Sequence, residues 1–348
     1  MGKNVVVCLD GTGNQVKAKG STNVVRLFEM LDLSDETKQV AYYDPGVGTF
    51  SSQGAWTPAG KAITKGLGLA VGRGMRENLG EAYTFLMQHW EPGDRLFVFG
   101  FSRGAYTARA LTGLIHRAGV LRPGCENLVP YAVASYARSK QEWTEDDWDQ
   151  IDRLSAAFAR SHEGSRSVPV EFLGLWDSVK AAGILRWNLR WPYTRQLPNA
   201  RNVWHAVSID EKRRPYREYL VQAKPPKSQV NEVWFAGVHS DVGGTFEDDP
   251  RLAEISLKWM VDGARDAGLL VKPKAYAKAA TLTEDHAHGV VHDMGWVWAF
   301  LTYRRRPVPP AARVHASVRH RLETDGQHRD RIPTDATWED DQWLTPRT

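Results

Sequence analysis

The chain has 348 residues, 42% hydrophobic and 25% charged, with a formal net charge of +4. This is ordinary globular composition with ample material for a core, and so small a charge gives no reason to expect nucleic acid as a partner. Two cysteines, Cys8 and Cys125, are too few for a disulfide framework.

The elements come in alternation. Asn4 to Leu9 is a Val-rich strand that starts too early to leave room for a signal peptide. Gly2 does not open a myristoylation signal, because Val6 stands where Ser or Thr is required. The loop Asp10-Gly11-Thr12-Gly13-Asn14 comes next. Val24 to Leu31 has helical spacing, Gln39 to Tyr43 reads as a strand, and Leu79 to Trp90 as an amphipathic helix. Leu96 to Phe99 is a strand that runs into Gly-Phe-Ser-Arg-Gly, and a helix rich in small residues succeeds it. Val168 to Trp176 and Glu232 to Val238 are further apolar strands. Apolar strands separated by helices predict a mostly parallel sheet covered on both faces, with ligands beyond the carboxyl ends of the strands. No run is long and apolar enough to be a membrane helix. The expectation is a soluble chain, cytoplasmic as synthesised, with export through a signal-independent secretion system left open.

The residues just beyond each strand are therefore informative. Gly100, Ser102 and Gly104 fit G-x-S-x-G, in which small residues let neighbouring backbone pass a strained serine held above the sheet. The plain alternative is a serine that only caps a helix. Asp177 comes directly after "EFLGLW", and His239 and Asp241 after "VWFAGV". Serine, aspartate and histidine in that chain order are the arrangement of an α/β-hydrolase fold. The expected architecture is one such domain over residues 1–333, with a helical insertion at about 130–165 that would cap the site. Residues 334–348 read as a polar tail.

The chemistry assigns the roles. Ser102 is the candidate nucleophile. His239 is the preferred base, with His315 and His205 as rivals, the latter placed near a helix start. Asp177 is the preferred acid to orient the base, with Asp241 as rival. An oxyanion needs backbone donors, expected from Arg103 and from Gly11 or Thr12. "CLDGT" also resembles a phosphatase pattern, but Cys8 replaces the nucleophilic aspartate. "GLGLAVGRG" (Gly66 to Gly74) lacks the Lys-Ser/Thr of a phosphate loop and reads as a small-residue helix entry. His286, His288 and His292 lack metal-site spacing and read as a solvated loop. No cofactor or metal is expected. "RWNLRWPYTR" (Arg186 to Arg195) and "WVWAFLTYRRR" (Trp296 to Arg306) mix rings and cations, as sheet packing with a basic rim or a peripheral membrane contact would.

The motifs "DGTGN", "GFSRGAYTARALTGLI", "LGLWDSV", "HAVSIDEKRRPY", "VWFAGVHSDVGG" and "VHASV" occur in this order between Asp10 and Val318. Together they resemble the α/β-hydrolase family that includes the class 1 lipase effectors of type VI secretion. The resemblance covers about nine tenths of the chain and implies a serine esterase or phospholipase acting on ester or lipid substrate. The larger effectors carry a further C-terminal region with no substantial counterpart here. A competing expectation is a binding or regulatory protein on a hydrolase scaffold whose chemistry has lapsed.

Overall fold

The computed structural model describes residues 2–11, 20–46, 63–138, 143–180, 191–222, 229–293 and 304–347, with backbone only for 63–71 and 215. In chain order the elements are β1 (Asn4–Leu9), α1 (Asn23–Met30), β2 (Gln39–Asp44), α2 (Ile63–His89), β3 (Arg95–Phe101) and α3 (Arg103–Arg117). Then come α4 (Val129–Tyr136), α5 (Glu145–Phe158), β4 (Val170–Trp176), β5 (Ala200–Ser208) and β6 (Gln229–Phe235). The last are α6 (His239–Gly243), α7 (Arg251–Asp266), α8 (Pro273–Ala280), β7 (Arg313–His315), α9 (Ala316–Asp325) and β8 (Thr337–Glu339).

The strands form one eight-stranded sheet in the order β2-β1-β3-β4-β5-β6-β7-β8. Every pairing is parallel. Val5, Val7 and Leu9 of β1 join the core beneath α2 and α3, while Val6 and Cys8 face the opposite core with α1 and α7. Both faces of the strand are dry, which is why it reads as an unbroken apolar run. This is an α/β-hydrolase-like fold. The direction of winding reverses between β1 and β3, and such a switch point opens a crevice at the carboxyl end of the sheet. Ser102 stands at that reversal, since Leu9 pairs with Gly100 and Phe101 with Trp176.

Several expectations change here. Residues 334–347 do not hang as a loose tail: β8 extends the sheet beside β7, and Trp343 is buried in the core. Three residues of strand are too short for a periodic signal, and the anchoring comes from single apolar residues, Trp338, Trp343 and Leu344. The insertion helices α4 and α5 pack on α2 and α3, with Val129, Val133, Tyr136, Ile151 and Leu154 in that core. They thicken one helical layer instead of forming the expected cap. Gly66 to Gly74 lies within α2 and not at its entry.

Candidate active site

The turn that carries Ser102 is built by close approach. Ser102 has φ 61° and ψ −121°, between the end of β3 and the first turn of α3. A Cβ on Gly104 would fall 2.2 Å from the Leu9 carbonyl oxygen, and one on Gly100 2.6 Å from the Gly104 carbonyl oxygen. Only glycine fits either position. The strained serine is held by its own backbone: its N–H donates to the Trp176 carbonyl at 3.0 Å, and its carbonyl accepts from Val179 N–H at 3.3 Å. Strain of this kind persists where surrounding structure over-determines it.

The Ser102 hydroxyl lies 2.8 Å from Nε2 of His239, and Nδ1 of the same ring lies 2.5 Å from Oδ2 of Asp177. All three side chains are buried. The acceptor on one side fixes the tautomer: Nδ1–H donates to the carboxylate, leaving the Nε2 lone pair to accept from the serine. His239 begins α6, after the short turn that follows β6, and its ring packs on Phe101 (4.6 Å) and the edge-on Tyr216 (4.9 Å). Its backbone N–H donates to Oε2 of Glu211, itself paired with Arg213. Asp177 succeeds β4 in a left-handed conformation, φ 39°.

Both oxygens of Asp177 are occupied. Oδ1 accepts from Ser208 N–H at 2.9 Å and from Arg306 Nη1 at 2.5 Å, and Oδ2 accepts from Arg306 Nη2 at 3.0 Å besides His239. Burial alone would raise this carboxyl's pKa. The Arg306 charge and the bonds from His239 and Arg306 outweigh it and hold the group well below the usual carboxylate range.

The rival residues stand elsewhere. His205 lies inside β5, not near a helix start, where its Nε2 accepts from Ser178 N–H and its Nδ1 meets Glu232. His315 ends β7, stacks on Phe235 and bonds Ser317. Asp241 accepts from Val238 N–H and meets Nδ1 of His292. Of the expected oxyanion donors, Arg103 N–H opens α3 beside the serine. Gly11 N–H is already engaged by Oδ1 of Asp10 at 2.7 Å, and Thr12 lies outside the described residues. The Asp10 carboxylate also accepts from the Thr22 and Tyr43 hydroxyls.

Two surface expectations also change. His286, His288 and His292 do not form a solvated loop: they meet Glu254, Asp325 and Asp241 respectively, and His292 stacks on Phe246. Among the described residues no cluster suits a metal ion. Of the two aromatic-basic stretches, 186–190 and 296–303 lie outside the described residues. In the remainder, Trp191 and Arg306 are buried, so neither can form a rim. Arg306 was missed as a site residue because an arginine triplet carries no local sign of burial.

A sequence model for the type VI secretion system phospholipase effector Tle1-like catalytic domain matches residues 3–263. An uncharacterized protein of Saccharomyces cerevisiae is 33% identical over 229 residues, which is 64% of this chain and 33% of that protein. The chain therefore spans about a third of that curated relative's length. An uncharacterized protein from Pseudomonas aeruginosa superposes over 83% of this chain and 50% of its own, at 19% identity and TM-score 0.47. The Tle1 effector bound to the VgrG spike of the Type 6 secretion system superposes over 81% and 76%, at 14% identity and TM-score 0.43.

Proposed function

The chain belongs to the family of Tle1-like phospholipase effector catalytic domains, and from that premise we propose that it is a serine hydrolase cleaving a carboxylic ester of a lipid or phospholipid. The family supports lipase or phospholipase activity in general. The observation that carries the finer reading is the unbroken relay from Ser102 Oγ through His239 to Asp177 at 2.8 and 2.5 Å.

In this reading Ser102 Oγ attacks the ester carbonyl carbon while its proton passes to Nε2 of His239. Asp177 holds the ring in the correct tautomer and balances the imidazolium that forms. The tetrahedral oxyanion takes a hydrogen bond from Arg103 N–H at the positive end of α3. A second donor from the loop after β1 is either Thr12 or Gly11, the latter only by leaving Asp10. Collapse of the intermediate breaks the ester C–O bond, and the departing alkoxide takes the proton from Nε2. Water, deprotonated by His239, then attacks the acyl-enzyme and releases the acid. The exposed Arg304 and Arg305 remain available for peripheral contact with anionic lipid.

A fluorophosphonate probe with peptide mapping tests the assignment. The expected result is a single label on Ser102, and Ser102→Ala losing hydrolysis of p-nitrophenyl esters by several orders of magnitude with its fold intact. A label elsewhere, or half the activity retained by the variant, would overturn it. No label on the folded protein would favour a lapsed scaffold.

A further inference from the structure

We propose that Arg306 is a positioning residue of this site, clamping Asp177 so that its Oδ2 faces His239 and offsetting the carboxylate's charge. The inference rests on the serine-hydrolase reading and adds a residue that lies beyond the family match, which ends at residue 263.

The clamp is a planar fork on a planar acceptor. Nη1 meets Oδ1 and Nη2 meets Oδ2, the two-point geometry that only a guanidinium supplies. Arg306 is itself fixed from behind: Nη1 also donates to the Ser208 carbonyl at 3.1 Å and hydroxyl at 2.8 Å, and Nη2 to the Tyr216 carbonyl. Its own carbonyl accepts from Arg331 at 3.3 Å, and Arg331 pairs with Asp210 at the end of β5. The carboxylate therefore cannot rotate about its last bond without breaking the fork, and the direction of the Nδ1 bond is set with it.

The charge matters as much as the geometry. A carboxylate beside an imidazole favours the imidazolium, and a cation on that carboxylate opposes the effect. Around the relay stand Asp177, Glu211 and Glu218 against Arg306 and Arg213, with Glu218 3.8 Å from Arg306 Nε. Arg103 lies beside Ser102 and Tyr216. Farther out, Asp241 pairs with His292 and His205 with Glu232. Removing Arg306 leaves Asp177 uncompensated against His239, so the base takes up its proton at higher pH.

The test uses the full chain with Arg306→Ala and Arg306→Lys, assayed for kcat and kcat/KM from pH 5 to 9 on a soluble short-chain ester. Arg306→Ala should lower kcat about 100-fold through misalignment and move the acid limb of kcat/KM upward by roughly one pH unit. Adding methylguanidine should restore part of kcat. Arg306→Lys keeps the cation without the fork, so its acid limb should stay near wild type while kcat falls. If Arg306→Ala does not fold, Arg306→Lys decides alone: unchanged kcat would refute the clamp. A residue that only stabilises the fold would lower the melting temperature and leave the acid limb in place, and that result would overturn the proposal. Fluorophosphonate labelling of the wild type keeps the two readings apart. Ser102 labelled with an unmoved limb in the alanine variant refutes Arg306 alone, whereas an unlabelled Ser102 refutes the hydrolase reading itself.

Discussion

Asp177→Asn is the sharpest perturbation of the relay, because the structure dictates which way the new amide must face. Four donors converge on the carboxylate: Ser208 N–H and Arg306 Nη1 on Oδ1, Arg306 Nη2 and His239 Nδ1 on Oδ2. An amide nitrogen at the Oδ1 position would face two donors that cannot become acceptors. At the Oδ2 position it faces one such donor and a histidine that can, by moving its proton from Nδ1 to Nε2. The amide therefore turns toward His239, and Nε2–H then points at the Ser102 hydroxyl, which has lost its base. Loss of the tautomer should lower kcat by about 10⁴-fold. Arg306 keeps the Ser208 and Tyr216 oxygens, so the cost of its unpaired charge falls at the low end for a broken buried pair, about 3 kcal/mol. Steady-state hydrolysis of a soluble ester and urea unfolding at pH 7 read the two effects separately. Adding Arg306→Gln to Asp177→Asn should recover part of the stability and none of the activity. Activity within tenfold of wild type in a folded Asp177→Asn protein would refute the reasoning.

Burial sets two further outcomes. It lowers the pKa of His205 and of His315, while pairing with Asp241 and Asp248 outweighs it at His292 and raises that residue's pKa. Below about pH 6.5 the unfolded chain binds protons that folded His205 and His315 refuse. Each of the two then removes up to about 1.4 kcal/mol of stability per pH unit, whereas the stabilisation from His292 accrues above about pH 6.5 and is already complete when that loss begins. Urea midpoints should thus fall from about pH 6.5 to about pH 5.5, and a flat or rising series there would contradict the assignment. Trp343→Ala should cost about 3–5 kcal/mol, measured by the same melts, because the indole is 5% exposed and lies in the core beside His315. A loss under about 1 kcal/mol would mark residues 334–348 as a loosely held tail after all.

Whatever obeyed a local rule was legible in the sequence. β1, β3 and β4 stood out because strands buried on both faces read as apolar runs, and β6 through the buried apolar end of its strand and the turn that follows it. Ser102 and Asp177 stood out because each comes at once after such a strand, and His239 because it closely follows an apolar run, although β6 itself ends at Phe235. β5 escaped notice because Arg201, Asn202 and His205 interrupt its apolar character, and His205 is satisfied in the core by Glu232 and Ser178 N–H. Arg306 could not be found by any local rule. It meets Asp177 across 129 positions, and its neighbours Arg304 and Arg305 are exposed.

Long-range pairing also explains why the C-terminal quarter matters to a site built earlier in the chain. Buried ions are tolerated only in pairs, and here two of the acids at the site draw their partners from late in the chain: Arg306 for Asp177, and His328 with Arg331 for Asp210. Asp210 in turn accepts from Gly237 N–H, in the turn that leads to His239. Glu211, held by Arg213, accepts from His239 N–H itself. Asp177 and Glu211, the acids that touch the imidazole and its backbone N–H, are thus each matched to an arginine, and His239 is left as the group that changes charge during the proposed proton transfer. A framework of matched pairs does not need to reorganise when the imidazolium forms, which is the condition for electrostatic stabilisation of a transition state. Unpairing any one of them should therefore slow the chemical step as well as loosen the fold.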